Sequence, residues 1–483
     1  MKYRSDLPAP SRAQAPAFSP MGKLAAANLV NASLPANPFA LMAYIGAALL
    51  IVNHFGRPFE SFLVGLKLPA FICGTGIFLA LFSGAPKTLK SRIGLRLSLF
   101  ISWVVITVPF SNWKGGSAGW VLWYVEFWVT LVVLVAWAPR TPRQTARLVY
   151  ITAAACAGHL IFNGGYAYGR YALSGTFGNS DDVALMAGYT IPFIVLAATQ
   201  LRNPVVRTLL LVGGVGYMLL LIGRTATRAA IPAVILMVGV YFWRAKGIQR
   251  VQLIAGSVIS LILLPIALPS SSVERLATIF DSFDSDKIGR GTSEAMDSVA
   301  ERRELLRDAL SMIAHHPIFG VGAGEFLDYR IKNLKNPDGS PKRYFPSHNT
   351  YLNIAAETGI VGVLLYVVFL YSIFSTIRKT RKMNQSHTHP EAMLISQIQL
   401  AVEAALVYFS TCAIFMTCDR HPHQFVLAGI ALSLEYQIQH WLKQSPAVGS
   451  GGPTPLVPAS PLLSQSSYPP VTSAPFAPSV RTR

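Results

Sequence analysis

The stretch SHNTYLNIAAETGIVGVLLYVVFLYSIF (residues 347–374) begins with polar side chains and ends as a continuous apolar run. The apolar part approaches the ~20 residues that a helix needs to cross the hydrocarbon of a bilayer. His348 lies at the boundary, and Asn349, Asn353 and Glu357 follow it toward the apolar run. Polar side chains in lipid are costly, so the stretch predicts a membrane span with functional groups at its edge.

The composition of the whole chain shows the same preference for apolar residues. Hydrophobic side chains make up 52% of the 483 residues and charged ones only 13%, whereas a soluble domain carries roughly 25% charged residues. The four cysteines lie within or beside apolar runs and form neither a zinc spacing nor a disulfide framework. The composition therefore indicates an all-α integral membrane protein.

Apolar runs of similar length recur along the chain and predict about twelve transmembrane helices. They lie near residues 38–55, 65–83, 95–110, 119–138, 148–166, 183–199, 208–223, 229–242, 251–268, 358–377, 394–417 and 424–441. We divide the chain into a disordered cytoplasmic N-terminal segment, nine spans, one large helical outer loop, three spans and a disordered Pro/Ser-rich cytoplasmic tail. These parts cover residues 1–37, 38–268, 269–348, 349–442 and 443–483.

The basic residues predict the orientation of the spans. The formal charge of +19 (41 − 22) comes largely from loops on one side of the predicted membrane, such as PKTLKSRIGLR and PRTPRQTAR. Cytoplasmic loops carry the excess of Lys and Arg in membrane proteins, so the charge is a topology signal and gives no indication of nucleic-acid binding. The loop 269–348 faces the other side. Its eleven basic and twelve acidic side chains nearly balance, and its length favours a lid or substrate platform over a simple connector.

The polar residues after His348 form a stripe if a helix begins there. Asn349, Asn353 and Glu357 then share one face. Glu357 follows His348 by nine residues and lies on the opposite side of the helix, so Glu357 is not expected to orient His348 directly. The G-x-x-G step that begins at Gly359 would let another helix approach closely. Taken alone, His348 would be an ordinary interfacial histidine.

Two arginines predicted near the same boundary favour a functional role for His348. Arg224 and Arg228 lie at the outer end of a predicted span, four residues apart and so on one helical face. Two guanidinium groups on one face suit a phosphate or pyrophosphate. Snorkelling is the alternative interpretation, but arginines in an outer loop run against the positive-inside rule.

Other polar groups predicted on the outer side carry weaker signals. Asp181 and Asp182 in GNSDDVA could bind a metal, but no third ligand is placed by the spacing. The last outer turn, DRHPHQF, contains an H-P-H sequence, and two histidines alone are weak evidence for a transition metal. A pair between Asp419 and an arginine is the more economical interpretation.

Three ionisable residues fall within predicted spans, and such residues face a cavity or a partner. They are Glu126, His159 and Glu403. GVGAGEF (residues 320–326) lacks the ending of a P-loop and the strand before it, so it is interpreted as a turn.

Four segments between about residues 170 and 375 resemble, in order, motifs of the O-antigen ligase and O-antigen polymerase superfamily of bacterial envelope glycosyltransferases. GTFGNSDDVA is similar to the G-x-F-x-N-x-N-x-x-A stretch, with an aspartate for the usual second Asn. TRAAIPA places Arg228 on a family arginine. ERRELLRDALSMIAHHPIFGVGAGEF places Arg302 on another, with Leu306 where tryptophan is common. SHNTYLNIAAETGIVG matches every position of H-N-x-x-L-x-x-x-x-E-x-G-x-x-G.

The resemblance implies a metal-independent, inverting glycosyl transfer without a cofactor, on the periplasmic face of the bacterial inner membrane. The donor would be a glycan on undecaprenyl pyrophosphate, and the acceptor would be the lipid A core or another glycan. Arg224, Arg228 and Arg302 would bind the pyrophosphate, and His348 would act as general base on the acceptor hydroxyl. Supporting roles would fall to Asn349, Glu357, Asp419 and Arg170.

The acceptor separates two activities within this superfamily. Four basic residues shortly before His348, with only Asp338 among them, give a local excess of +3 that favours an anionic acceptor such as a phosphorylated lipid A core, and so a ligase. They are Lys332, Lys335, Lys342 and Arg343. A polymerase of O-antigen or exopolysaccharide is the alternative.

A transporter of the same lipid-linked glycan is the alternative from another functional class. The chain shows no internal repeat, and its densest polar cluster lies at the outer boundary. Transporters commonly show repeated halves and place their substrate sites near the bilayer midplane, so the sequence favours the enzyme.

Overall fold

The computed structural model describes residues 40–57, 74–76, 78–79, 88, 90–125, 130–167, 170–173, 179–281, 293–336, 338–385 and 391–444. Both predicted terminal segments lie almost wholly outside these ranges. The predicted span 65–83 is mostly outside them too, as are Glu126 and the side chain of Arg170. The described chain is predominantly helical and carries helices suited to a bilayer, which confirms the all-α membrane class.

The helices follow the apolar runs. In chain order they are α1 (Ala40–Ile51), α2 (Arg92–Thr107), α3 (Lys114–Trp123), α4 (Thr130–Trp137), α5 (Pro142–Phe162), α6 (Ser180–Thr199), α7 (Pro204–Leu209), α8 (Gly216–Thr225), α9 (Ala230–Arg244), α10 (Ile248–Ala267), α11 (Ser270–Asp281), α12 (Ser293–His315), α13 (Phe326–Asn333), α14 (Thr350–Gln385), α15 (Ala392–Cys412) and α16 (His423–Gln444). A π-helical turn, Val52–Gly56, continues α1, and a second one, Leu210–Val215, joins α7 to α8.

Seven helices among the described residues are long and apolar enough to cross a membrane. They are Arg92–Phe110, Pro142–Phe162, Ser180–Thr199, Pro204–Thr225, Ile248–Ala267, Thr350–Gln385 and Ala392–Cys412. The helix Ala40–Gly56 and α9 are apolar but shorter. The count of about twelve spans therefore stays a prediction. The predicted span 119–138 corresponds to the short helices α3 and α4 with undescribed residues between them.

A β-hairpin interrupts the helical chain where the sequence predicts an outer loop. Strand β1 (Gly164–Ala167) pairs antiparallel with β2 (Arg170–Leu173), and Tyr166 lies opposite Tyr171. The Tyr171 hydroxyl donates to the carbonyl oxygen of Leu160 at 2.9 Å, so the hairpin is tied to the end of α5. The sequence analysis did not predict these strands.

The ends of several helices meet in one region because consecutive helices reverse direction. The turn between α8 and α9 contacts the start of α6, where Thr227 Oγ1 donates to Asp181 Oδ1 at 2.9 Å. The first helical residue of α14 contacts the residue after α15, because the Thr350 amide donates to the Ala413 carbonyl at 2.8 Å. The turn before α16 approaches the same start of α6 through His421. This helix-end region contains the candidate site.

Helix α14 is broken near its start. Gly359 has φ +75° and ψ 179°, so a nine-residue segment, 350–358, precedes the long apolar part. We call it the outer segment after its predicted orientation. The Ile360 amide donates to the Pro317 carbonyl at 2.9 Å, and Trp103 Nε1 donates to the Thr358 carbonyl at 2.8 Å. The break places Asn353 and Glu357 in the outer segment, so the predicted polar stripe does not continue into the apolar run.

The predicted outer loop is helical on both sides of undescribed residues 282–292. Helix α12 packs against the outer segment of α14 through a small apolar cluster that includes Leu305, Ala309, Met312 and Ala356. The turn GVGAGEF lies between α14 and α3: the Val321 amide donates to the Ala356 carbonyl at 2.9 Å. The Ser117 hydroxyl of α3 donates to the Ala323 carbonyl at 3.0 Å.

Candidate active site

His348 lies at the centre of the helix-end region, directly before the outer segment of α14. Its backbone is left-handed, with φ +50°, a conformation that non-glycine residues rarely adopt. Its Nδ1 lies 3.8 Å from Asp181 Oδ2. Asp181 also accepts a hydrogen bond from the Thr227 hydroxyl at 2.9 Å. A carboxylate at this position favours the protonated imidazole that a general base becomes after accepting a proton.

The residues on each side of His348 explain why α14 begins where it does. The Asn349 side chain accepts a hydrogen bond from the Leu352 amide at 3.0 Å, which caps the helix N-terminus. The Ser347 hydroxyl donates to the Asn349 carbonyl at 3.0 Å and lies 3.1 Å from the Thr417 hydroxyl. Asn349 therefore supports the site by fixing the start of the helix, and it precedes the helix as its cap.

A second histidine–carboxylate contact lies beside the first. Asp182 follows Asp181 at the start of α6, and its Oδ1 lies 3.6 Å from His421 Nε2. Burial, followed by the charges of Arg57 and Arg420, lowers the pKa of His421 to about 3, so this imidazole is neutral at physiological pH. The two aspartates are thus each within 4 Å of a histidine nitrogen.

Arg57 is a site residue that the sequence analysis missed. It ends the π-helical turn after α1 with φ +38°, and its charge acts on both Asp182 and His421. His159 Nδ1 lies 3.1 Å from the Gly56 carbonyl oxygen, so α5 supports this turn. An arginine in an outer loop, the signal used for Arg224 and Arg228, also marks Arg57 in the sequence.

Glu357 belongs to a separate ion cluster and does not contact His348 directly, in agreement with the helical geometry. Its carboxylate accepts from Arg420 Nη2 at 3.0 and 3.1 Å and from the Gly324 amide at 2.9 Å. Arg420 Nε also lies 3.4 Å from Asp419 Oδ2, and its guanidinium lies 3.8 Å from the centre of the Trp120 ring. The predicted pairing of Asp419 with an arginine is therefore present.

The turn GVGAGEF has a definite role in this cluster. Gly324 has φ +81°, and a Cβ added there would lie 1.9 Å from Trp120 Cδ1. Only glycine fits such a close approach, and it lets the backbone amide point at Glu357. The sequence predicted the turn, but its contact with Glu357 depends on packing between distant segments.

The three predicted pyrophosphate-binding arginines lie on different elements of the fold. Arg224 is partly buried at the end of α8, and its Nε is buried without a hydrogen-bond partner among the described residues. Arg228 follows Thr227, which contacts Asp181. Arg302 lies on the face of α12 that also carries Leu305, because positions three residues apart are neighbours on a helix.

The prediction that Arg224 and Arg228 share one helical face is wrong. Helix α8 ends at Thr225, and Ala226 adopts a left-handed conformation with φ 51° and ψ 30°. The chain therefore turns between the two arginines before α9 begins at Ala230. Arg224 is the penultimate residue of α8, and Arg228 lies in the turn that contacts the start of α6.

The remaining polar candidates have other neighbours. His423 packs edge-on against Phe55 and Tyr189, at ring-centre distances of 5.0 and 4.5 Å. The described residues contain no group of three His, Cys, Asp or Glu that could hold a metal ion. Glu403 accepts from Arg381 Nη2 at 2.7 Å and from Arg244 Nη2 at 3.2 Å, so this intramembrane carboxylate is paired. Arg170 lies in β2, where only its backbone is described.

Comparison with known proteins relates part of this chain to O-antigen ligases and O-antigen polymerases. Residues 213–367 match the family model described as O-Antigen ligase. The chain is also 26% identical over 215 residues to an O-antigen polymerase of Salmonella muenchen. That alignment covers 44% of this chain and 49% of the relative, so it spans about half the length of the relative. These matches confirm the resemblance to the superfamily of O-antigen ligases and O-antigen polymerases.

Proposed function

We propose that this protein transfers a glycan from undecaprenyl pyrophosphate to an acceptor hydroxyl at the periplasmic face of the bacterial inner membrane. The observation that carries this proposal is His348, held in a left-handed conformation beside Asp181 at the helix-end region. Strained backbone of this kind clusters at functional sites. Arg224, Arg228 and Arg302 are the proposed ligands of the pyrophosphate.

The proposed reaction inverts the anomeric carbon and uses neither a metal ion nor a cofactor. His348 accepts the proton of the acceptor hydroxyl while the hydroxyl oxygen forms a bond to the anomeric carbon. The bond from that carbon to the pyrophosphate oxygen breaks, and undecaprenyl pyrophosphate leaves with the electron pair. Asp181 stabilises the imidazolium that forms, and the arginines neutralise the developing charge on the leaving group.

The acceptor decides between ligase and polymerase, and the ligase hypothesis rested on four basic residues before His348. Lys342 is not available to an anionic acceptor, because its Nζ lies 2.7 Å from Glu304 Oε1 and 3.3 Å from Asp308 Oδ1. Lys332, Lys335 and Arg343 remain exposed. The lipid A core thus stays one candidate acceptor. A second lipid-linked repeat, as a polymerase would use, gains support from the named activity of the Salmonella relative.

Purified protein in liposomes tests the proposal. With lipid-linked donor and acceptor added, we expect glycosyl transfer by the wild-type protein and none by His348→Ala, because the variant lacks the base. Equal expression and membrane insertion of both proteins is the control. Donor flipping without transfer would support the transporter instead, and full transfer by His348→Ala would exclude the assigned base.

Deletion of the gene distinguishes the two acceptors. Loss of all surface-attached glycan, with long lipid-linked chains accumulating, is the outcome expected of a ligase. Single repeat units in place of long chains are the outcome expected of a polymerase. The length of the lipid-linked glycan on a denaturing gel is the measurement.

A further inference from the structure

A buried cluster of charged side chains lies in the outer loop, away from the two histidines. Arg330 of α13 donates from Nε to Asp308 Oδ2 at 2.7 Å and from Nη2 to Glu304 Oε1 at 2.9 Å. Lys342 Nζ donates to the same Glu304 oxygen at 2.7 Å. We call Glu304, Asp308, Arg330 and Lys342 the loop ion cluster. It joins α12, α13 and the segment 341–348 that leads to His348.

The loop ion cluster is balanced in charge and enclosed. It combines two cations with two carboxylates. As whole residues, Arg330 is 2% exposed and Lys342 is 8% exposed. Buried ion pairs add little net stability, because desolvation of the charges offsets most of their attraction. Breaking one partner is costly, however, since it leaves an uncompensated buried charge. The cluster therefore fixes geometry more than it stabilises the fold.

The cluster acts on the backbone that carries His348. Arg330 Nη1 donates to the carbonyl oxygen of Arg343, so the cluster holds both the Lys342 side chain and the next peptide group. Downstream, the Ser347 hydroxyl lies 3.1 Å from the Thr417 hydroxyl. His348 lies five residues after Arg343, and its segment is held both before and directly beside it.

The left-handed backbone of His348 needs such support. A non-glycine residue rarely adopts this conformation and keeps it only where surrounding contacts determine it. Freeing the segment at Lys342 would let His348 relax toward ordinary backbone angles and move its imidazole away from Asp181. A displacement of about 1 Å at a reacting group can lower a rate by about 100-fold.

We propose that the loop ion cluster positions His348 for proton transfer, with Arg330 and Lys342 as positioning residues. The proposal rests on the proposed function of His348 as the base. Helices α12 and α13 then influence catalysis indirectly, because they hold the backbone of segment 341–348. Substrate is not expected to contact the cluster.

The test compares Lys342→Met with Lys342→Arg in the liposome transfer assay. Lys342→Met removes the charge, and we expect kcat to fall about 10- to 100-fold while the KM for the lipid-linked donor stays within about twofold, because the arginines that bind pyrophosphate are unchanged. Lys342→Arg keeps a cation and should restore most of kcat. Lys379→Met is the matched control, since Lys379 pairs with Glu435 at 2.7 Å in another part of the fold.

A loss of folding would be distinguished by thermal unfolding in detergent. If Lys342→Met does not fold, Glu304→Gln replaces it, because Glu304 is 40% exposed and its loss leaves the Arg330–Asp308 pair intact. We expect a smaller fall in kcat for Glu304→Gln in a protein that is still folded at the assay temperature. An unchanged kcat in the folded variant would overturn the positioning role. Full activity of His348→Ala in the same assay would instead overturn the proposed function itself.

Discussion

At the scale of single residues, the site depends on two consecutive aspartates that each face a histidine. The sequence singled out His348 because the motif around it is specific. It could not predict the contact with Asp181, since the two residues are far apart in the chain. The packing of both α6 and α14 against α15 brings them together. The Asp182–His421 contact could not be predicted for the same reason, although the sequence marks each residue separately.

The buried His421 predicts a pH dependence of stability. Its folded pKa is about 3, whereas an unfolded histidine titrates near 6.5. Between these values the unfolded chain binds a proton that the folded chain does not. The stability contribution is therefore present above pH 6.5 and is lost as the pH falls, by at most about 1.4 kcal/mol per pH unit.

Between pH 6.5 and 4.5 we expect the Tm of His421→Gln to rise relative to the wild-type Tm, because the variant lacks the titrating imidazole. Burial disfavours the charged form of the neighbouring Asp182 carboxyl, which changes the stability with the opposite sign, so the comparison of the two proteins isolates the histidine. Thermal unfolding followed by tryptophan fluorescence is the measurement. His315→Gln provides the control, because His315 is an exposed histidine on α12. Identical slopes for wild type and His421→Gln would show that His421 is not the titrating group.

At the scale of elements, the break in α14 separates the outer segment 350–358 from the membrane-spanning part. The predicted span near 358–377 placed this boundary within a residue of the break. The G-x-x-G step also marked a close approach correctly: a Cβ on Gly359 would lie 1.8 Å from the Ile318 carbonyl oxygen, and one on Gly362 would lie 3.3 Å from Trp103 Cδ1. The β-hairpin was missed because its glycine- and tyrosine-rich sequence shows no alternating apolar pattern.

Substitution of Gly359 by alanine should destabilise the protein. The backbone at φ +75°, ψ 179° belongs to a region that is essentially restricted to glycine, and the strain alone costs about 1–3 kcal/mol. The clash with Ile318 adds to that cost. We expect a clearly lower Tm and reduced transfer for Gly359→Ala.

Gly256→Ala is the matched control, because an added Cβ at Gly256 in α10 meets nothing within 4 Å. A helical glycine replaced by alanine is expected to keep or slightly raise the stability. A Tm for Gly359→Ala equal to that of Gly256→Ala would mean that α14 tolerates a continuous helix at this point.

At the scale of the whole molecule, two groups of ion pairs besides the loop ion cluster lie in different parts of the fold. The contacts of Asp181, Asp182, Glu357 and Arg420 lie at the helix-end region. Arg244, at the opposite end of α9 from the site, pairs with Glu403. The positive-inside rule predicts that the Arg244 end faces the cytoplasm, which would place the proposed site at the periplasmic face.

Labelling of introduced cysteines tests that orientation. We expect a membrane-impermeant maleimide to label Asp338→Cys in intact spheroplasts, because this exposed residue lies in the predicted periplasmic loop. Lys246→Cys, in the predicted cytoplasmic loop after α9, should be labelled only after permeabilisation. Labelling of wild-type protein under the same conditions gives the background from native cysteines. The reverse pattern would place the site on the cytoplasmic side.

The contribution of the last outer turn to the helix-end region has a consequence for biosynthesis. Asp419, Arg420 and His421 precede α16, so their contacts with α6, α14 and Arg57 form only after almost all described helices have been translated and inserted. A nascent chain still leaving the ribosome therefore lacks part of its site. Under the proposed function, a lipid-linked donor would meet a complete site only after α16 is inserted, and a protein truncated before residue 413 would show no transfer.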